Sequence, residues 1–255
     1  MKKHQGEIRR SQLIRTYGPG SMVDLPNHSV VVSGLDYWFP QAEMPAIVEE
    51  RLSAKVAAVL ERAKPVPLKG PPVADDDERK ALTGVPAFQF PEWFVVQVKK
   101  KKRPLVHLES LTKGRYEVDG KKFPAIPVRF VQACVLGHLS DIDWRGFIHQ
   151  YRGDCARQIW MEERGSSGDL ADAIVGCDCG LERSMAQATR RGAENLGTCP
   201  GKRPWLGKFG GEKCGGEGGK LQLSRLLIRS ASDAGLQDRS RTRRSRSWSW
   251  RRSWR

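Results

Sequence analysis

A chain of 255 residues with 39% hydrophobic side chains has room for one large domain or two small ones and is not disordered by composition. Its net charge of +15, from 44 Lys and Arg against 29 Asp and Glu, favours a polyanionic partner, nucleic acid before membrane. No apolar stretch approaches the length of a membrane span, and Met1-Lys2-Lys3-His4 is followed by polar residues rather than the apolar core of a secretory signal, so a cytoplasmic chain is expected.

In chain order, Gly18-Pro19-Gly20 predicts a tight turn and Ser29-Val-Val-Val-Ser33 a short buried strand. The turn lacks the Gly-Lys-Ser/Thr of a phosphate-binding loop. Residues 43–63 predict a helix with Pro45 in its first turn. Val48, Leu52, Val56, Val59 and Leu60 fall on one stripe, expected to pack on the core. Residues 64–86, with several prolines and the acidic run Asp75 to Glu78, predict a surface excursion with one helical turn near 78–82. Strands follow at Trp93–Val98 and over 125–133. Asp119-Gly120 lies between Arg115-Tyr-Glu-Val and Lys121-Lys-Phe and signals a hairpin. Gln158–Glu162 and Ala173–Gly176 read as strands, 181–190 as one short helix, 197–220 as a glycine-rich loop, and Leu221–Arg229 as a last strand.

Two basic segments stand out. Lys99, Lys100, Lys101, Lys102 and Arg103 follow the strand at Trp93. From Arg239 to Arg255 the chain is Arg, Ser and Trp with one Thr, and Arg243, Arg244, Trp248 and Trp250 are its candidates for phosphate contact and base stacking. Each is a candidate nucleic-acid contact; a solvated surface is the alternative for the lysine run. The abrupt change of composition favours a reading-frame change that truncates a longer protein, and the tail is expected to be disordered.

All six cysteines lie between Cys134 and Cys214, interleaved with His138 and His149, beside glycines or in short polar loops. A secreted chain would use six cysteines as three bridges, but a cytoplasmic one keeps them reduced, where clustered thiols bind metal. Eight candidates allow two four-coordinate zinc sites. Sequence order divides them into Cys134, His138, His149 and Cys155, then Cys177, Cys179, Cys199 and Cys214. His149 as a helix-surface histidine and Cys155 as a structural thiol remain alternatives. Asp141, Asp143, Glu162, Glu163 and Asp178 are available as general bases, but none stands in a His-Glu-x-x-His or comparable arrangement, so no catalytic residue is assigned.

Several motifs carry a resemblance. Arg10-Ser-Gln-Leu-Ile-x-Thr-Tyr-Gly-Pro-Gly20, Val23-Asp-Leu-Pro26, Ser33-Gly-Leu-Asp36 and Val128-Arg-Phe-Val-Gln-Ala-Cys-x-x-Gly-His138 come first. Asp141-Ile-Asp-Trp144, Trp160 to Leu170, Cys177-Asp-Cys-Gly180, Cys199-x-Gly-x-Arg-Pro-Trp-Leu-Gly207 and Leu226 to Ser232 follow. In this order they resemble the N-terminal part of DrmB, a component of the bacterial DISARM anti-phage system. The resemblance implies a non-enzymatic partner of the helicase-like DrmA, acting on phage DNA beside a methyltransferase. DrmB-type proteins are considerably longer, and this chain departs from their pattern after Asp233.

The sequence therefore predicts an α+β fold: a mixed small β-sheet region with one amphipathic helix and a loop-rich zinc-binding module. Its parts are a strand and helix segment over 1–63, a linker-like excursion over 64–92, a β-rich zinc module over 93–233, and the basic tail over 234–255. The expected function is that of a non-enzymatic, zinc-stabilised accessory subunit of a DNA-directed defence complex, with Zn2+ as its only cofactor and contact to DNA indirect or non-specific. The alternatives are a free-standing nucleic-acid binder using the tail, or a zinc-dependent hydrolase.

Overall fold

The computed structural model describes residues 10–25, 28–38, 44–72, 84–165, 168–189, 195–208, 210–215 and 221–225. The tail residues Arg243, Arg244, Trp248 and Trp250, the helical turn expected near 78–82 and the last strand beyond Arg225 lie outside them. The architecture is α+β and mostly strands, in small antiparallel sheets with few short helices.

The largest sheet has seven strands, in the order β14-β13-β12-β7-β6-β9-β8. They are β6 (Trp93–Val96), β7 (Arg103–His107), β8 (Arg115–Val118), β9 (Lys121–Pro127), β12 (Ile159–Glu163), β13 (Ala173–Cys177) and β14 (Glu182–Ser184). The hairpin of β8 and β9 turns through Asp119 at φ 50° and Gly120 at φ 73°, the left-handed pair that Asp-Gly supplies. β13 is buried at all five positions, which its apolar run Ala-Ile-Val-Gly-Cys permits. Gly176 stands opposite Trp160 on β12; a Cβ there would meet the indole at 2.3 Å, so glycine is what lets that ring lie on the strand.

The strand expected over 125–133 is two. β9 ends at Pro127, and β10 (Phe130–Cys134) joins a separate sheet with β11 (Leu139–Ser140) and β15 (Leu221–Arg225). This split swings Cys134 away from the large sheet. The helix expected over 181–190 is instead the edge strand β14 followed by a 3-10 turn, Met185–Thr189, because Arg183 and Ser184 pair with β13. β7 and the helix α3 (Trp144–His149) had no clear sequence signal. α3 caps on Asp143, whose side chain accepts from the Gly146 amide at 2.9 Å, and buries Trp144, Phe147 and Ile148 at the i, i+3, i+4 spacing. These side chains join Phe130, Ile159, Val175 and Met185 in the main core.

The N-terminal part forms a third sheet, in which β2 (His28–Val32) lies between β1 (Met22–Leu25) and β5 (Ala87–Gln89). The short helix α1 (Arg10–Arg15) precedes this sheet, and Gly20, at φ 83°, completes the turn before β1. This sheet rests on the loop after Cys199: the Gly34 amide donates to the Trp205 carbonyl at 2.7 Å, and the Tyr37 hydroxyl to the Leu206 carbonyl at 2.9 Å.

The helix expected over 43–63 is shorter, α2 (Glu50–Val59), and Pro45 precedes it beside a two-residue strand, β3 (Ala46–Ile47), paired with β4 (Leu68–Lys69). Its apolar stripe does not face the core. Val48 is 88% and Val59 75% exposed, and within α2 Ala57 is the buried residue. The strands of the core close on one another and leave this helix at the periphery, tied by the Ser53 hydroxyl to the Val66 carbonyl at 2.6 Å.

Candidate metal centres

The eight predicted ligands come together as two groups of four, but not in the division that sequence order suggests. Cys134, His138, Cys199 and Cys214 form one group. His149, Cys155, Cys177 and Cys179 form the other, and within each group the ligand atoms lie within 4.8 Å of one another. The second group is nested inside the first along the chain, so we call them the outer and inner clusters. All six cysteines are free thiols.

The reason for the nesting is strand pairing. β12 and β13 run antiparallel with Ile159 opposite Cys177, and the Asp178 amide donates to the Gln158 carbonyl at 3.0 Å. Cys155, just ahead of β12, is thereby brought beside Cys177 and Cys179, just at and after the end of β13; the Cys155 and Cys177 sulfurs are 3.6 Å apart. α3 delivers His149, whose Nε2 is 3.4 Å from the Cys179 sulfur. His149 is buried, not a surface residue of the helix. Arg145, one turn earlier on α3, donates to the carbonyls of Cys155 and Arg157, both at 2.8 Å, and holds that loop in place.

The outer cluster is assembled at the far end of β10. His138 Nδ1 lies 3.2 Å from the Cys134 sulfur and 3.6 Å from that of Cys199. The Cys199 loop is fixed by backbone bonds from Leu139 N to Lys202 O at 3.0 Å and from Glu212 N to Gly201 O at 2.9 Å, which also bring in Cys214. Gly201 has φ 68°, and a Cβ on it would meet the Glu212 carbonyl oxygen at 1.6 Å. Only glycine allows the two strands of this loop to approach so closely.

Both clusters contain the same turn. In Cys134-Val-Leu-Gly-His138 the first amide donates to the fifth carbonyl at 3.1 Å and the glycine amide to the first carbonyl at 3.0 Å. In Cys177-Asp-Cys-Gly-Leu181 the same two bonds are 2.9 Å and 3.0 Å. Gly137 at φ 79° and Gly180 at φ 103° occupy the same left-handed position. These turns aim backbone amides at sulfur, which stabilises thiolate. Burial opposes ionisation of Cys134, yet the amides of His138 and Leu136 and its thiol and imidazole neighbours bring it down to about 7. Cys179 is also brought down to about 7, chiefly by the Leu181 amide. Burial and the neighbouring thiols push Cys177 and Cys214 up to about 11. Each cluster so pairs an easily ionised thiol with one that gives up its proton reluctantly.

The two histidines are braced differently. His138 Nε2 is 3.0 Å from Glu212 Oε1, and Arg203 holds the same oxygen at 2.7 Å. This leaves Nδ1 for the sulfurs and, through the Glu212 carboxylate first, raises the His138 pKa. His149 uses the opposite nitrogen: Nδ1 meets the Arg145 carbonyl at 2.9 Å, leaving Nε2 toward the cluster. Burial works against a proton on His149, but the Arg145 carbonyl and the Cys179 and Cys155 thiols outweigh it and its pKa is raised. Glu212, Arg203 and Arg145 were not legible as site residues; nothing in their local sequence links them to a histidine 74 residues away, in the case of Glu212, or to a loop beyond the helix end.

The candidate DNA contacts near Trp93 are not a free row of charge. Lys99 to Lys102 form the exposed connection from β6 to β7. Lys100 pairs with Asp119 at 3.6 Å, and Lys102 lies over the Trp160 ring at 4.1 Å. Arg103 is part of β7 and pairs with Glu163 at 3.2 Å. No helix among the described residues is long and apolar enough to cross a membrane.

A family model described as Domain of unknown function (DUF8724) matches residues 9–235. No curated protein matches the chain.

Proposed function

We propose that this chain, which belongs to the DUF8724 family, is a non-enzymatic, zinc-stabilised accessory subunit of a DNA-directed anti-phage defence complex, working beside a helicase-like partner. The observation that carries the non-enzymatic reading is the ligand count. Each cluster supplies four protein donors, three thiols and an imidazole, and so fills a tetrahedral ion's coordination without an open position for water or substrate. Soft thiolate with imidazole suits zinc rather than magnesium or calcium. Tetrahedral zinc, with bonds of about 2.0 to 2.3 Å, requires ligand atoms about 3.3 to 3.8 Å apart. Four sulfur–nitrogen and sulfur–sulfur contacts, at 3.2 to 3.6 Å, are close to that, and all ligand atoms of each group lie within 4.8 Å of one another.

The defence role rests on the resemblance of the motif order to DrmB, and the partner it implies is DrmA-like. Two Cys3His sites that rigidify loops at the ends of strands in two different sheets suit a protein whose task is to present surface to a partner. The test is co-purification of the tagged chain with a DrmA-like helicase, together with metal analysis. Two zinc equivalents and a stable complex, with no nuclease or ATPase activity in the isolated chain, are expected. Activity that co-purifies with the chain and is lost in a Cys177→Ser variant would overturn the non-enzymatic reading.

A further inference from the structure

Between the two clusters lies a cleft of about 780 Å³ that neither metal site uses. Its walls come from residues directly adjoining the ligands: Gln150 and Tyr151 after His149, and Thr198 and Pro200 on either side of Cys199. The charged groups inside are Glu92, Asp141 and Asp143 against Lys202, with His107 Nε2 3.6 Å from the Glu92 carboxylate. Asp143 is engaged as the cap of α3. Asp141 accepts from the Glu92 amide with both oxygens, at 3.1 and 3.2 Å. Burial pushes its pKa up to about 6 in spite of that amide and the nearby His107 and Lys202, so its charged form is poorly solvated there.

A second observation points the same way. Gln132, on β10, lines the cleft and is 3% exposed; its Nε2 donates to the Ser140 hydroxyl at 3.1 Å, while its Oε1 is buried with no protein donor. Exchanging the amide's oxygen and nitrogen leaves the other atom unmatched toward the same space. A buried amide acceptor left unmatched by protein is costly, so a donor from water or a ligand is favoured at this place. Trp93, with His107 edge-on at 5.6 Å, and Tyr151 supply flat faces on the walls.

We propose that this cleft binds a guanidinium group, the head of an arginine, with Asp141 and Glu92 receiving its charge, Gln132 Oε1 accepting one of its N–H bonds and Trp93 or Tyr151 lying against its plane. A guanidinium carries five donors in a rigid planar fork, which matches a carboxylate and an amide oxygen better than the compact ammonium of lysine does. Its plane stacks on aromatic rings. Lys202 suits a carboxylate or carbonyl attached to the same ligand. The group could be that of free arginine or of an arginine in a peptide, and the site's chemistry is the same for both.

The experiment is calorimetric titration of the zinc-loaded full chain with L-arginine, with N-acetyl-arginine methylamide and with L-citrulline, which keeps the shape without the charge. Both or either of the two guanidinium probes should bind in about the millimolar range or tighter, and citrulline at least about tenfold more weakly. Tighter binding of the blocked probe assigns a peptide arginine, and tighter binding of the free amino acid assigns a metabolite. Asp141→Asn and Glu92→Gln should each weaken the preferred probe about tenfold or more with zinc content unchanged. Glu92 has a half-exposed side chain, so its variant reports binding even where Asp141→Asn disturbs the loop. Absence of binding by both guanidinium probes, equal binding of citrulline, or unchanged arginine binding in Glu92→Gln and a folded Asp141→Asn would overturn the assignment.

Discussion

The outer and inner clusters use the same turn, the same left-handed glycine and the same three-thiol, one-imidazole donor set, but they are held by different means. The inner cluster is built on continuous secondary structure: the end of β13, the start of β12 and the end of α3. Its histidine is braced by a backbone carbonyl. The outer cluster has one secondary-structure anchor, β10, and otherwise depends on the glycine-rich loop from Cys199 to Cys214. Its histidine is braced by a side chain, Glu212, from that same loop. A metal in the inner site therefore joins elements that the apolar core already places. A metal in the outer site supplies order that glycine-rich backbone lacks, since each glycine costs more conformational entropy to fix than any other residue.

The largest effects should come from removing ligands in pairs, because the nested and sequential divisions then predict opposite stoichiometries. Structural zinc contributes apparent binding energy of about 10 to 16 kcal/mol per site, and that energy is coupled to folding. In the nested arrangement Cys155→Ser with Cys177→Ser damages one site and leaves about one zinc equivalent, whereas Cys177→Ser with Cys199→Ser damages both and leaves almost none. The sequential division gives the reverse. Metal analysis of the two double variants decides between them. Among single variants, Cys199→Ser should expose the 199–214 loop to protease while the large sheet persists.

The ligands themselves could be read from the sequence, because cysteine and histidine beside glycine in an even set of eight carry a chemical meaning independent of fold. Their partition could not. It follows from β12 pairing with β13, a contact that the sequence allowed, since both strands were expected, yet the linear order of the ligands suggested neighbours first. The β8–β9 hairpin was legible because Asp-Gly fixes a turn within two residues. α3 was not, because six residues give too little periodicity to recognise. α2 was legible as an amphipathic helix, but not the exposure of Val48 and Val59, since hydrophobic periodicity identifies an apolar face and not what covers it. The break between β9 and β10 was hidden inside a single apolar run, in which Pro127 and the polar Arg129 were the available signals.

The bracing of the two histidines gives an intermediate effect. Glu212→Ala removes the carboxylate that orients His138 and should accelerate metal loss from the outer cluster by about tenfold to a hundredfold, with the inner cluster unchanged. Arg203→Ala, which acts through Glu212, should move in the same direction by less. Release of one of the two zinc equivalents to a chromogenic chelator measures both. Equal acceleration at both sites would mean that the clusters are not independently held.

A smaller effect tests the shared turn. Gly137→Ala and Gly180→Ala meet nothing within 4 Å, so each should cost only the left-handed backbone strain, about 1 to 2 kcal/mol. The two costs should be similar, because the turns have the same hydrogen bonds. Gly201→Ala has the same strain and in addition a Cβ 1.6 Å from the Glu212 carbonyl oxygen, so it should cost clearly more and release the outer metal. Thermal unfolding of the three variants ranks them. Parity of Gly201→Ala with the other two would mean that the loop can open without loss of the site.

The smallest effect belongs to the cleft between the clusters. Asp141 has its pKa raised from 3.8 to about 6, mainly by burial. A carboxyl whose folded pKa lies above its unfolded value stabilises the fold only while protonated. Its contribution is fully present below the unfolded pKa and is lost as pH rises through about 6. Between pH 5 and 7 the wild-type chain should therefore lose about 1 kcal/mol relative to Asp141→Asn. The comparison has to be between the two proteins at each pH, because the zinc ligands act with the opposite sign: acid protonates thiolate and imidazole and weakens both sites. That loss is common to wild type and variant and cancels in the difference. Denaturant unfolding at three pH values gives the difference directly, and a difference that stays constant across the range would place the Asp141 carboxylate in better contact with water or cation than its burial implies. Added arginine supplies the check on the cleft itself: a bound guanidinium favours the charged carboxylate, so it should pull the midpoint of the difference below 6 in the wild-type chain.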